Sequence, residues 1–268
     1  MAKIGIIYCS YGMPDYLSKS LSPWIEAKKI NLGGNEFLIA AVSTPFKEYK
    51  DYQILDNSTP TFLSVALAEG DIDDLYAETE YLLESEVRDK ALQFLLKEDC
   101  DSILIADGDE FFTREQIERL LKFTDLDPWT SWFKFSYKNY IFDSNHYLAE
   151  PFTPPRFFRV LTNGYRLDTF SWDNDVFYKG TITSNGKFVN KNLDYKELPS
   201  RTIPVNIAFI KHYTWFSDQR SKNKIRYQME HFKGSCSYRW NEKENKLEFN
   251  PEYYNQIGQR NPEVLEDV

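Results

Sequence analysis

Cysteine is scarce in this chain. Cys9, Cys100 and Cys236 are odd in number and widely spaced, which argues against a disulfide framework and against any zinc-binding spacing. Long apolar runs are missing too: none approaches the roughly 20 residues that a membrane-spanning helix needs. Met1 to Ile7 leads straight into a strand-like run too short for the core of a signal peptide. Nor is there an excess of positive charge. Lys and Arg total 32 against 41 Asp and Glu, a net charge of −9, so a broad basic surface for nucleic acid or anionic lipid is not expected. Only Lys211, Arg220, Lys222, Lys224 and Arg226 form a local basic run, whose simplest reading is a solvated helix face. No internal repeat and no flexible linker is visible. These absences lead us to expect a soluble cytoplasmic protein without integral membrane association.

Aromatic residues are abundant, with 18 Tyr, 20 Phe and 6 Trp, and hydrophobic residues make up 42% of the 268. That is enough to bury a large core, with aromatic side chains left over for pockets. Lys3 to Cys9 reads as a buried strand, Pro14 to Lys29 as a helix, and Glu36 to Ser43 as a second strand. Strand, helix and strand within about forty residues is the signature of a parallel βαβ unit. Glu80 to Lys97 carries Leu82, Leu83, Val87, Ala91, Phe94 and Leu95 as an apolar stripe, and Ser102 to Ala106 follows as another strand. Up to residue 123 the alternation predicts a doubly wound sheet. Beyond Pro128 the pattern changes to an aromatic strand from Trp132 to Phe142, a strand from Val205 to His212 and a helix from Asp218 to Phe232. One domain over 1–268, with halves 1–123 and 124–268, is the simplest organisation.

The stretch Asp107-Gly108-Asp109-Glu110 stands out because of its flanks. An apolar strand precedes it, and Phe111-Phe112 and a capping-box pattern, Thr113-Arg114-Glu115-Gln116, follow. Ligands of open α/β sheets bind at the carboxyl ends of the strands. Two carboxylates placed there are hard donors suited to Mg²⁺ or Mn²⁺ holding a diphosphate. A turn built on Asp-Gly alone gives the same letters without any ligand.

Tyr8-Cys9-Ser10-Tyr11, Glu86 to Ala91 and Ile103 to Phe111 together resemble glycosyltransferases of the GT-A fold, family-2-like enzymes in particular. Phe209 to Trp215 is similar to the late histidine motif of the enzymes that transfer N-acetylglucosamine to N-glycans. The likeness spans residues 3–123 and an island near 209–231. It implies a Rossmann-like, mostly parallel central sheet flanked by helices, with a smaller mixed region on the acceptor side. It also implies a nucleoside-diphosphate sugar donor, UDP-linked by preference, and a metal held by Asp107, Asp109 and His212, with Asp109 as the main ligand, Asp107 contacting the ribose or the metal, and His212 completing the site. Ser10, Tyr11, Arg88 and Asp107 would be donor contacts, with Glu48, Asp51 and Asp56 near the base and ribose. From spacing alone, Arg88 serves equally as the partner of Glu84 four residues earlier, and His212 as a half-buried histidine at a strand end.

A transferase that inverts configuration needs a carboxylate to take the proton of the attacking hydroxyl. Asp173 and Asp175, beside Trp172, are the candidates, with Asp143 as the alternative. The acceptor is a glycan, a protein or a modified DNA base. Two other classes stay open: a metal-dependent phosphoryl hydrolase or nuclease using Asp107, Asp109 and Glu110, and a non-catalytic nucleotide-sugar-binding module.

Overall fold

The computed structural model describes residues 1–47, 50, 56–148, 153–170, 176–180, 192–216, 219–231 and 236–266. In chain order, β1 (Lys3–Cys9), α1 (Pro14–Lys29), β2 (Glu36–Val42), α2 (Ser58–Ala68), β3 (Asp74–Tyr76), α3 (Glu84–Lys97) and β4 (Ser102–Asp107) form the first part. Then come β5 (Glu110–Phe111), α4 (Arg114–Asp125), β6 (Trp132–Lys134), β7 (Tyr137–Phe142), β8 (His146–Leu148) and β9 (Pro155–Arg159). The rest comprises β10 (Leu161–Thr162), β11 (Tyr165–Phe170), β12 (Val176–Gly180), β13 (Asn192–Asp194), β14 (Ser200–Thr202), β15 (Ile210–Phe216), α5 (Gln219–His231), β16 (Tyr238–Asn241), β17 (Lys246–Phe249), α6 (Pro251–Gln256) and β18 (Val264–Glu266).

The central sheet runs β14-β6-β9-β4-β1-β2-β3. It is parallel except for β9, which lies antiparallel between β4 and β6. Mixed α/β architecture with a mostly parallel sheet is therefore observed directly. Period-two alternation sorts the strand side chains to two faces. Ile4, Ile6 and Tyr8 of β1 and Leu104 and Ala106 of β4 pack under α1, α2 and α4 with Leu17, Leu21, Trp24, Leu63, Ile117 and Leu120. Ile7, Cys9, Ile103 and Ile105 face the other way, onto Val87, Ala91, Leu92 and Leu95 of α3 and the β11–β13 residues Leu167, Tyr178 and Leu193. Both faces are covered, which is why β1 and β4 read as continuous apolar runs. Gly5 marks a close approach of this face to α3: a Cβ there would stand 2.9 Å from both Ile103 Cδ1 and Leu95 Cδ1.

A second sheet, β18-β8-β7-β15-β5, meets the first at the acidic turn. The aromatic segment expected as one strand is in fact two. β6 stays in the central sheet, whereas β7 crosses to the second, and the strand is interrupted at Phe135 and Ser136 between them. Strands from both sides of residue 123 share the central sheet: β14, β6 and β9 of the second half form one side of it, and β4, β1, β2 and β3 of the first half the other. Other boundaries move slightly. The long helix starts at Glu84, where the Leu83 N–H donates to Glu86 Oε2 at 3.2 Å. The late strand starts at Ile210 rather than Val205, and helix α2 carries no signal that the sequence reading used. Among the described residues no helix is long and apolar enough to cross a membrane.

Candidate functional site

Strand register brings the pieces together. Cys9 pairs with both Asp107 and Val42, so β1, β2 and β4 end side by side. The Gly108 N–H donates to the Cys9 carbonyl at 2.7 Å and the Ser10 N–H to that of Val42 at 2.9 Å. Gly108 then passes directly over Ser10. A Cβ at this position would lie 2.8 Å from Ser10 Cβ and closer still to its hydroxyl, so only glycine fits. Thr113 and Gln116 cap α4 reciprocally, at 2.9 and 3.2 Å, as their spacing predicts.

Beyond the acidic turn, β5 pairs with β15 in the register His212 to Glu110, and the Tyr213 N–H donates to the Asp109 carbonyl at 2.9 Å. That pairing sets His212 Nε2 3.6 Å from Asp109 Oδ2. On the other side of the ring, Nδ1 lies 2.7 Å from Asn139 Oδ1 of β7. An amide oxygen only accepts, so Nδ1 carries the proton and Nε2 presents its lone pair toward Asp109. Tyr137 packs against the ring, with centroids 4.7 Å apart. Burial pushes the imidazole down to about 4, with Asp109 opposing and Lys224 adding to the shift. His212 is therefore neutral at pH 7, the form in which imidazole binds metals.

Asp107 is held differently. Its Oδ1 accepts from Arg88 Nη2 and its Oδ2 from Arg156 Nη2, both at 2.8 Å. Burial works against ionisation here, but the two guanidiniums hold the carboxyl below the usual carboxylate range. Arg88 also pairs with Glu84 Oε1 at 2.6 Å, the helix-surface partner that spacing suggested. Arg156 was missed by sequence reading. It reaches from β9 to Glu110 Oε1 at 2.5 Å, where the Tyr137 hydroxyl also donates. Glu110 is fully buried, and burial, with Asp107 adding, pushes its carboxyl up to about 8 against the pull of Arg156. The only available signal was an arginine after Pro154-Pro155, and nothing in its neighbours announces the contact.

A cleft of about 270 Å³ opens on this cluster, lined by Ser10, Tyr11, Arg88, Asp107, Asp109 and His212 among others, including Lys224 of α5. Ser10, Tyr11, Arg88, Asp107, Asp109 and His212, read separately from the sequence, thus meet at one place. Ser10 is 4% exposed, and its buried hydroxyl has no hydrogen-bond partner among the described residues. Cys9 lies beneath, and burial pushes its thiol up to about 12, so it remains protonated. Tyr11 is shared with an adjoining recess of about 280 Å³ formed with Asp56, Asn57, Pro60, Ala77, Glu78 and Thr79. Asp56 is bound to the start of α2 there, accepting from the Ser58 and Thr59 N–H groups at 2.8 and 3.1 Å.

Of the acceptor-side candidates, Asp143 is the one that falls within the described residues. Asp173, Asp175 and Trp172 lie outside the described residues, as do Glu48 and Asp51. Asp143 sits on the β7–β8 turn, with its carboxylate 2.8 Å from His146 Nδ1, and does not line the cleft.

No family model matches the chain, and no curated protein sequence matches it. Among solved structures, S. aureus TarS aligns at a TM-score of 0.37 and 15% identity, over 59% of this chain and 28% of TarS. TarS 1–349 in complex with UDP-GlcNAc aligns at 0.37 and 16%, over 59% of this chain and 45% of that one. UDP-glucose phosphorylase from Trypanosoma brucei aligns at 0.33 and 10%, over 94% of this chain and 68% of that one. This chain therefore spans less than half of either TarS chain. All three TM-scores lie below the level at which a shared fold follows, so function has to come from the site itself.

Proposed function

We propose that the protein is a glycosyltransferase that uses a nucleoside-diphosphate sugar, UDP-linked by preference, and moves the sugar to a hydroxyl acceptor. The observation that carries this is Asp109 facing His212 at 3.6 Å, at the carboxyl edge of a parallel sheet. In open α/β sheets this edge receives ligands.

The donor set fits a divalent cation, Mn²⁺ or Mg²⁺. Asp109 offers a hard oxygen, and His212 offers a neutral Nε2 whose ring is fixed through Asn139, the kind of outer hydrogen bond that orients metal-binding histidines. Among the described residues no three His, Cys, Asp or Glu side chains converge as a complete cage. Asp107 is bound by two arginines, so we assign it to positioning the turn rather than to the ion. Donor phosphates would complete the coordination. The described cleft lining carries the carboxylates Glu84, Asp107 and Asp109 together with the basic side chains Arg88 and Lys224, and Arg156 also binds Asp107.

In the transfer, the bond from sugar C1 to the phosphate oxygen breaks and the electron pair stays on the phosphate. The acceptor oxygen bonds to C1 and gives up its proton to a base, for which Asp173 and Asp175 remain the proposed residues. A bound cation would supply Lewis-acid stabilisation of the leaving diphosphate. Tyr11 and the adjoining recess suit the nucleoside, and the Ser10 hydroxyl a phosphate oxygen. The acceptor, whether a glycan, a protein or a modified DNA base, approaches from the second half. The rival phosphoryl hydrolase needs Glu110 as a ligand, but Glu110 is buried and bound by Arg156 and Tyr137.

The test is thermal stability against a panel of nucleoside diphosphates and nucleotide sugars, with and without Mn²⁺. A ligand that binds only the folded state raises the melting temperature. A shift that needs both Mn²⁺ and one nucleotide supports the reading. No shift with any of them, for folded protein, refutes it.

A further inference from the structure

We propose that Arg156, near the start of β9, is the positioning residue that sets Asp109 against His212. This rests on the nucleotide-sugar reading above and deepens it, by naming what holds the two proposed metal ligands in place. The Arg156 side chain is 14% exposed and grips the acidic turn on both sides of Asp109. Its Nη2 donates to Asp107 Oδ2 at 2.8 Å and to Glu110 Oε1 at 2.5 Å, and its Nε to the same Glu110 oxygen at 3.1 Å. The other Glu110 oxygen accepts from the Asp107 N–H at 3.3 Å, which closes the turn on itself. Asp109 lies between these two anchored residues and faces His212.

The same guanidinium reaches the second ligand through Tyr137. Its Nε and Nη2 lie 3.1 and 2.8 Å from the Tyr137 hydroxyl oxygen, and that hydroxyl donates to Glu110. The Tyr137 ring packs on the His212 imidazole. One planar fork therefore ties the turn that carries Asp109 to the ring that supports His212. Arg88 shares Asp107 but turns to Glu84, whereas Arg156 spans Asp107, Glu110 and Tyr137 together. Three carboxylates within four residues repel one another, and a cation on the inner side of the turn offsets that repulsion. A lysine would bring the charge as a point, but only a guanidinium has donors in a fixed fork that meets several partners at once. The place of β9 does not depend on this side chain, because the strand is held by its pairing with β4 and β6.

The experiment compares wild type with Arg156→Lys, Arg156→Met and Tyr137→Phe through two readouts. The first is metal-free: imidazole NMR signals of histidine-labelled protein, with His212, one of three histidines, assigned by its loss in His212→Asn. Both Arg156 variants should shift the His212 signal, and Tyr137→Phe should shift it less. The second is the Mn²⁺ concentration that half-saturates calorimetric binding of whichever of UDP, GDP, ADP and CDP wild type binds most tightly. Loss of an outer hydrogen-bonding partner should raise it roughly ten- to hundredfold, with binding of the bare nucleoside unchanged. Arg156→Lys keeps the charge and should melt nearer to wild type than Arg156→Met, yet share most of the loss in Mn²⁺ response. A merely structural role lowers the melting temperature and moves neither readout in the folded protein. Folded Arg156 variants in which the His212 signal or the Mn²⁺ requirement stays at the wild-type value overturn the inference. Arg156→Lys and Tyr137→Phe decide the matter if Arg156→Met does not fold. Wild type that binds no nucleoside diphosphate, with or without Mn²⁺, refutes the donor-site reading, and the metal-free signal then decides by itself whether Arg156 positions His212.

Discussion

The two ends of the central sheet carry recesses of opposite character. At the amino end of β4, Asp99, Cys100, Asp101, Arg159, Val160, Leu161 and Arg166 line a hollow of about 380 Å³, larger than the 270 Å³ cleft at the carboxyl end. Its arginines and Asp101 are bound to the protein. Arg159 donates to the carbonyls of Thr124, Thr130 and Asp127 at 2.5, 3.0 and 3.1 Å, Arg166 to that of Leu96, and Asp101 accepts from the Lys3 N–H. At the carboxyl end, Ser10 is left unsatisfied and Asp109 faces a neutral imidazole. Volume is thus a poor guide to a site. Unspent polar groups are a better one, because a buried donor without a partner is costly unless a ligand completes it.

That contrast can be broken most decisively by Asp109→Asn, which should lower transferase turnover roughly a hundredfold or more while leaving the melting temperature nearly unchanged. Retained turnover would mean that the carboxyl end is as inert as the other. Arg156→Met comes next, as a stability effect. It leaves Asp107 and Glu110 without their shared cation, and breaking a buried pair costs about 3–5 kcal/mol. Melting should fall on the order of 10 °C, and a fall of only a degree would show that the network contributes little. Gly108→Ala should cost about 1–3 kcal/mol through overpacking against Ser10 and should weaken nucleotide binding as well. Unaltered binding would show that Ser10 does not contact the ligand.

His212 adds a pH dependence at one end only. Its folded value of about 4 lies below the ordinary ~6.5 of the unfolded chain. Between those limits the unfolded state holds a proton that the folded state lacks, so stability is lost as pH falls through the window. Denaturant titrations from pH 7 to pH 4 should show the slope in wild type and a smaller one in His212→Asn. Equal slopes would place the titration elsewhere. The smallest effect belongs to Arg166→Ala, an exposed side chain at the amino end, which should change stability by less than ~0.5 kcal/mol and leave turnover alone. A loss of turnover there would erase the distinction between the two ends.

The first βαβ unit, the apolar strands β1 and β4, the α4 cap and the position of the acidic turn can all be read from the residues in order. Each of these is local. Apolar periodicity, the Thr113–Gln116 pair and the Asp-Gly turn act within a few residues, so they are legible in order along the chain. Tertiary structure alone decided how the two carboxylates divide their work. The family resemblance makes Asp109 the main metal ligand, but nothing in the sequence shows what either carboxylate touches. In the structure, Arg88 and Arg156, 19 residues before and 49 after, claim Asp107, while β5–β15 pairing delivers His212 to Asp109. Antiparallel β9 between β4 and β6, and Lys224 at the cleft, are likewise long-range outcomes. A charged side chain's partner is set by which strands pair, and pairing between distant segments leaves no local pattern to read.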